Sequence, residues 1–481
     1  MVTSMGRDYG LRGRRGGGGV PFLLRRGLLI VPFLVLGGCD IDSLLDVEDP
    51  DTVTPGDIEG ESDLTAVHGS VLAEFSVAFG GFPTDGLSED GQVELSGLLT
   101  DELIHTGTFD TRQSVDRRVA AKENGTIGET YLRLHRARAN AAFAADFFEE
   151  FGADTERHAE VQSFEGLTQI IFGENFCSGV PFSRVAPGDV LEYGEPQTTT
   201  QVFEAAVESF EAAITVAQAA GSADQEYFAR VGLGRALLNL GRFAEAAAAV
   251  ASVPTDFDYR LAYSENTARQ NNGVWVYNNS AGIYSVADNE GGNGLPFRSR
   301  GDVDGSIRDP RIPVEHVGLA QLGTARPEEH WAQLKFPTRA SSITIASGVE
   351  ARLIEAEAAL NAGPAGLDDF ESIHDEIRGG VGLPSLADQY GDLSAMTQDE
   401  RVDVHFAERA YWLYLTSHRL GDLRRLLWDY GRAADEVFPS GDRFGSDTNF
   451  PIYLDEENNP NVVLEGNELC LTRDDEAGRD G

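Results

Sequence analysis

Phe203, Ala206, Val207, Phe210, Ala213, Ile214 and Ala217 recur at i, i+3, i+4 and i+7 spacing, which predicts one apolar stripe on a helix over 201–220. Gly221 follows where a C-capping glycine belongs. The same reading predicts a helix over 131–151, with Leu132, His135, Ala139, Ala142, Phe143 and Phe147 on one face, and another over 156–176, ending near Gly179 and Pro181. Residues 226–240 and 243–252 predict a helical hairpin broken at Gly241. There Leu233-Gly234, Leu237 and Ala246 have the spacing of a tetratricopeptide-type unit, whose small residues let two helices pack closely. Between 255 and 345 the pattern changes to Asn271-Asn272-Gly273, Asn278-Asn279 and Gly291-Gly292-Asn293-Gly294, which predicts loop with a few short strands. Helical periodicity returns at 347–361, 368–379, 397–417 and 420–436, and the chain from Phe438 reads as irregular. The expected fold class is mostly α, a tetratricopeptide-like scaffold of helical hairpins with long irregular loops.

The first 38 residues follow a different logic. Arg12, Arg14, Arg15, Arg25 and Arg26 precede the apolar run Leu28–Leu36, which is followed by Gly37-Gly38-Cys39. A charged start, a short apolar core and small residues before the cut predict a secretory leader. The run is too short for a bilayer span, which needs about 20 residues. A cysteine in that place resembles the lipobox of bacterial lipoproteins, so Cys39 is expected to be lipidated and to become the new N-terminus. Acyl chains contribute about 0.8 kcal/mol per buried CH₂, so a multiply acylated cysteine anchors stably. Residues 39–61, acidic and containing Pro50 and Pro55, predict an extended tether.

Hydrophobic residues make up 41% of the 481, enough for a real core. Removal of residues 1–38 leaves 78 acidic against 32 basic residues, a net charge of −46. Such a surface repels phosphate backbones and excludes nucleic acid as an expected partner. Only Lys122 and Lys335 are lysines. A GC-rich genome explains the arginine bias, and adaptation to brine explains it together with the acidic charge.

Cys177 and Cys470 remain beside Cys39. In an oxidising compartment they are either bonded, closing a long loop worth about 4–5 kcal/mol, or two buried thiols. The nine histidines form no His-x-x-x-His or His-Glu-x-x-His pair, and no Gly-x-Ser-x-Gly elbow appears, so neither a metal nor a cofactor is expected. Asp302-Val303-Asp304-Gly305 has the start of a calcium loop without its remaining ligands. For ligand binding the candidates are Trp275 and Tyr277, expected on one face of a strand, with Tyr284 nearby, since aromatic faces stack on sugar rings.

Several C-terminal segments together resemble the SusD/RagB family of outer-membrane nutrient-binding lipoproteins. They are Asp309-Pro310-Arg311, Lys335-Phe336-Pro337, the run Glu350–Ala358 containing Arg352, Glu355 and Glu357, and Ile377-Arg378 with Val381-Gly382-Leu383. Glu408-Arg409, Arg419, Asp422-Leu423 and Arg425 follow, then Asn449-Phe450-Pro451-Ile452 and Asn459-Pro460-Asn461. The mature start Cys39…Leu44-Leu45-Asp46-Val47 fits as well. Two departures stand out: Thr416-Ser417 where the family commonly has Glu-Gly, and Gly380 where its turn carries a second arginine.

The resemblance implies a single domain over 62–481, with helical repeats at about 125–253, a loop-rich insert at about 255–345 and a family segment at about 347–470. It implies a non-enzymatic lipoprotein on the outer membrane, facing outward, that captures a glycan or a peptide. Its partner would be a TonB-dependent, SusC-like channel. The alternative is a tetratricopeptide-type envelope scaffold that organises other proteins and binds no nutrient. The charges of the signature read as structural: Glu350, Glu355 and Glu357 against Arg352, and Arg419 against Asp422 at i, i+3, suit ion pairs between or along helices.

Overall fold

Seven helices over the first half of the body form the scaffold in the computed structural model: α1 (Leu64–Gly80), α2 (Gln92–Leu99), α3 (Asp110–Asp116), α4 (Gly125–Phe151), α5 (Glu156–Asn175), α6 (Thr199–Ala220) and α7 (Ala223–Asn239). The structure describes residues 60–83, 88–153, 155–186, 190–299, 309–319, 329–462 and 469–471. The leader, Cys39, most of the tether and Asp302–Gly305 lie outside them. After α8 (Phe243–Val250) come a helical turn α9 (Gly273–Trp275), then α10 (Gly348–Asn361), α11 (Leu367–Gly380), α12 (Leu386–Tyr390), α13 (Gln398–Trp412), α14 (Arg419–Trp428) and α15 (Ala434–Val437).

Local chemistry sets the helix ends. Thr198 accepts the Gln201 amide while the Gln201 side chain returns to the Thr198 amide, a reciprocal cap that starts α6. Gly221 ends it at φ 67°, the left-handed position that glycine occupies without strain. Asn124 accepts the Thr126 amide at 3.0 Å and so opens α4.

The helices pack in a chain of neighbours: α4 on α1 and α5, α5 on α6, α6 on α7, α7 on α8, and α8 on α10, which also contacts α11 and α13. The mostly α, tetratricopeptide-like scaffold is therefore the observed class. Glycines allow the close approach expected of such pairs. A Cβ at Gly232 would sit 2.2 Å from the Phe210 ring, and one at Gly234 would sit 2.5 Å from Val250 Cγ1 and 3.1 Å from Ile354 Cδ1. Phe75, Phe164 and Phe228 join α1, α5 and α7, with ring centroids 4.8 and 5.6 Å apart. The core runs from these rings through the C-terminal helices as one cluster.

Several boundaries and faces differ from expectation. In α4 the buried apolar residues are Ile127, Tyr131, Leu134, Ala137, Ala141, Ala144, Ala145, Phe147 and Phe148, so Phe147 of the predicted face is buried while Leu132, His135, Ala139, Ala142 and Phe143 are only partly covered. The helix is sandwiched between α1 and α5, so apolar residues on two sides are covered and the single predicted stripe is displaced. The helix expected over 397–417 stops at Trp412, because Leu415 and Ser417 adopt φ of 53° and 60°. That over 420–436 is split into α14 and α15. The segment 255–345 does carry short strands: Asp258–Leu261 pairs antiparallel with Ile343–Ser347, Tyr284–Val286 with Leu103–His105, and Val314–Leu319 with Glu329–Gln333.

Candidate functional site

Glu408 of α13 accepts from Arg311 Nη1 at 2.6 Å, Arg378 Nη1 at 2.6 Å and the Tyr390 hydroxyl at 2.8 Å. Arg311 is also bonded to Asp309. Burial opposes ionisation of Glu408, but the arginines outweigh it and hold the carboxyl down at about 2. The next residue of α13, Arg409, makes two 2.9 Å bonds to Asp422, which also accepts from Arg425 at 2.7 Å. Arg425 in turn reaches Glu357, which faces His405 at 3.3 Å and accepts from Tyr430 at 3.0 Å. Arg352 and Glu355 form a half-buried pair at 3.1 Å.

Of the pairings expected around Arg352 only that with Glu355 forms: Glu350 meets His418 and Glu357 meets Arg425 and His405, while Arg352 turns to the Val250 and Val253 carbonyls. The pairing expected of Arg419 is corrected too. Arg419 does not bond Asp422; its guanidinium lies at 2.6 and 2.8 Å from the two oxygens of Asp101, just after α2. Asp422 is already enclosed by Arg409 and Arg425, and Asp101 lies 318 residues away in sequence, out of reach of any local spacing rule. These signature residues thus tie elements together inside the molecule.

Trp275 and Tyr277 are not on a strand. They lie on the helical turn α9 and its π-helical continuation Val276–Ser280, opened by Asn272 accepting the Trp275 amide at 3.0 Å. Tyr277 is 1% exposed, with its hydroxyl 2.6 Å from the Phe82 carbonyl and 2.9 Å from that of Glu89. Tyr284 is fully buried and its hydroxyl is bonded to Asp90. Both rings belong to the interior, so the expected aromatic trio reduces to Trp275, half-buried, with Arg339 5.2 Å above its ring. Cys177 and Cys470 are joined by a disulfide, Cα atoms 5.7 Å apart.

A cavity of about 300 Å³ that the sequence did not signal opens where the ribbon Asp258–Leu261/Ile343–Ser347 meets the start of α10 and the end of α13. Glu350, Leu413, Thr416 and His418 line it as buried residues, Lys335 and Trp412 as half-buried ones, and Asp256 and Asp258 as exposed ones. Lys335 Nζ donates to the Tyr414 carbonyl at 2.5 Å. Burial lowers its pKa to about 8 against the pull of Glu102 and Asp258. Burial also opposes ionisation of Glu350, yet His418 and Arg235 keep that carboxyl below its ordinary value. Among the described residues no group of three or more His, Cys, Asp or Glu is arranged to hold a metal. No helix among them is long and apolar enough to cross a membrane.

The architecture defined by these helices and ribbons is the SusD-like fold. No family model matches the sequence, and no curated protein does either. Solved structures do. A SusD superfamily protein from Parabacteroides distasonis ATCC 8503 superposes with a TM-score of 0.63 at 14% identity, over 85% of this chain and 100% of that one. A SusD-like carbohydrate binding protein from Bacteroides fragilis NCTC 9343 gives 0.61 at 16% identity, over 84% and 99%. A SusD-like carbohydrate binding protein from Bacteroides vulgatus ATCC 8482 gives 0.55 at 12% identity, over 76% and 83%. At these identities the likeness is one of fold.

Proposed function

We propose that this chain is a lipoprotein of the SusD/RagB family, anchored through Cys39 on the outer membrane and facing outward, that captures a glycan and hands it to a TonB-dependent channel. The observation that carries the reading is the extent of the fold match: about five-sixths of this chain covers the whole length of a SusD superfamily neighbour. Two of the neighbours are carbohydrate binding proteins by name, which favours a glycan over a peptide. Of the three aromatic candidates only Trp275 is not buried, so glycan contact is assigned to the surface around it. The protein works by binding, without catalysis of its own.

A glycan and peptide array probed with residues 40–481 tests ligand capture, and co-purification of a β-barrel partner from membranes tests the channel. Retention of glycans with loss on Trp275→Ala is the expected result. Exclusive retention of peptides, or of nothing, overturns the glycan assignment. Recovery of envelope proteins without a channel favours a scaffold instead.

A further inference from the structure

Lys335 is one of two lysines in a chain that otherwise uses arginine for every cation. The other, Lys122, is paired with Glu457 at 2.8 Å. Lys335 has no carboxylate partner among the described residues; its one hydrogen bond goes to the Tyr414 carbonyl, leaving two of three ammonium donors for the cavity it lines. A compact ammonium with spare donors suits a small ligand better than a guanidinium fork committed to a carboxylate.

The rest of the lining narrows the ligand. Asp256, Asp258 and Glu350 outnumber Lys335, so the cavity carries a negative balance that repels anions, even though the first turn of α10 lies beside it. Glu350, already ionised against His418 at 3.0 Å, is an acceptor held in place. Thr416 and Ser347 add hydroxyls, and Trp412 adds an apolar ring. Its indole Nε1 is buried with no hydrogen-bond partner among the described residues. Acceptors, spare donors and an aromatic face in one concave site match a ring that carries both C–H faces and hydroxyls. Pockets for small ligands run from about 300 to 1,000 Å³, so a cavity of about 300 Å³, at the small end, suits one such ring better than several.

We propose that this cavity between the 258–261/343–347 ribbon, α10 and α13 receives a single neutral sugar residue, a free monosaccharide or the terminal unit of a glycan, with Lys335 donating, Glu350 accepting and Trp412 supplying the apolar wall. The assignment rests on the glycan-binding reading above and adds a second, end-on site apart from the surface around Trp275.

The test is titration of the full chain, purified in a sugar-free detergent, with methyl glucoside, N-acetylglucosamine and glucuronate by saturation-transfer NMR and calorimetry. Two variants probe the cavity: Lys335→Met removes the donors, and Val349→Phe fills the space from α10. The expected result is binding of at least one neutral sugar, weakened tenfold or more by each variant that melts like the parent, with glucuronate at least tenfold weaker. Neutral-sugar binding unchanged in the folded variants, no neutral binding at 50 mM, or tighter binding of glucuronate overturns it. Monosaccharide binding that is absent, or unchanged in both folded variants, while the parent still retains glycans on an array sinks the cavity assignment alone. A parent chain that retains no glycan sinks the broader reading.

Discussion

Arg378 Nη1 lies 2.6 Å from Glu408 Oε1, and both side chains are fully buried. Arg311 holds the other carboxylate oxygen at the same distance. Removing Glu408 therefore strands two guanidinium groups in the interior. Breaking a buried network from one side costs about 3–5 kcal/mol, so Glu408→Ala is expected to lower the urea midpoint severely. Arg352→Ala, which breaks the half-buried pair with Glu355, is expected to cost about 1 kcal/mol or less through the lost ion pair. Equal losses in the two variants would contradict the difference in burial. Because Glu408 is depressed to about 2 from 4.5, its stabilising contribution is complete above pH 4.5. It is lost as the pH falls through 2.

Much of this architecture is legible in the sequence. The stripe Phe203–Ala217 and the glycines at 221 and 234 are local signals, and local spacing is what periodicity reads. The turn at Leu415 and Ser417 is not legible, since neither residue type announces a positive φ. Nor are the partners of the charged signature. Asp101 and Arg419 meet through tertiary packing across 318 residues, which no helix-face rule encodes. The aromatic site misled for a related reason: an i, i+2 pair in a Gly/Asn-rich stretch fits a strand, but the Asn272 cap turns it into a helical turn. The cavity escaped notice because its lining comes from four separated segments.

Trp275 and Tyr277 should separate binding from folding. Tyr277→Phe removes a hydroxyl that sits between two backbone carbonyls, and a loss of about 1 kcal/mol is expected. Tyr277→Ala empties a buried ring and is expected to cost about 3–5 kcal/mol. Trp275→Ala, at the half-exposed position, is expected to leave the melting temperature within a few degrees while weakening glycan retention. Chemical denaturation alongside the glycan array reads both. A Trp275 variant that melts far below the parent would reassign that ring to the core.

Glu102 costs the fold stability as the pH rises from 4.5 to 8. Burial raises its carboxyl from 4.5 to about 8, only partly offset by the Leu415 amide it accepts at 2.9 Å. A raised value means that the folded state keeps a proton which the unfolded chain releases above pH 4.5. Stability from this group is then present below 4.5, falls steadily as the pH rises, and is gone above 8. Glu102→Gln keeps the acceptor for Leu415 and removes the titration. Between pH 5 and 8 the variant is expected to gain on the parent by on the order of 3 kcal/mol. Parallel stability-versus-pH curves for the two proteins would reject this.

The disulfide between Cys177 and Cys470 spans 293 residues and ties the segment around Leu469–Leu471 to the end of α5. Closing so long a loop restricts the unfolded chain by about 5 kcal/mol in the entropic view. Reduction is expected to add two mass units and to lower the denaturant midpoint. The Cys177→Ser, Cys470→Ser double variant should match the reduced parent and respond no further to reductant.

Ser417 occupies the second position of the pair where the SusD/RagB pattern has Glu-Gly, and its φ of 60° is the left-handed region that glycine tolerates without strain. A non-glycine residue there carries a penalty of about 1–2 kcal/mol. Glycine's extra freedom in the unfolded chain offsets about 0.5–1 kcal/mol of that, and the Ser96–Ser417 hydroxyl contact at 3.4 Å is long and weak. Ser417→Gly is therefore expected to stabilise the protein, by about 0.5 kcal/mol. Leu415 has a similar φ of 53°, and its side chain, fully buried like that of Ser417, fills far more of the core. Leu415→Gly relieves the same strain and opens a cavity, which costs about 2–5 kcal/mol for a buried leucine. Opposite signs for two substitutions two residues apart, measured by urea denaturation, are the signature of strain held in place by packing. A Ser417→Gly variant destabilised by more than 1 kcal/mol would show that the serine side chain, and not the backbone, holds this turn.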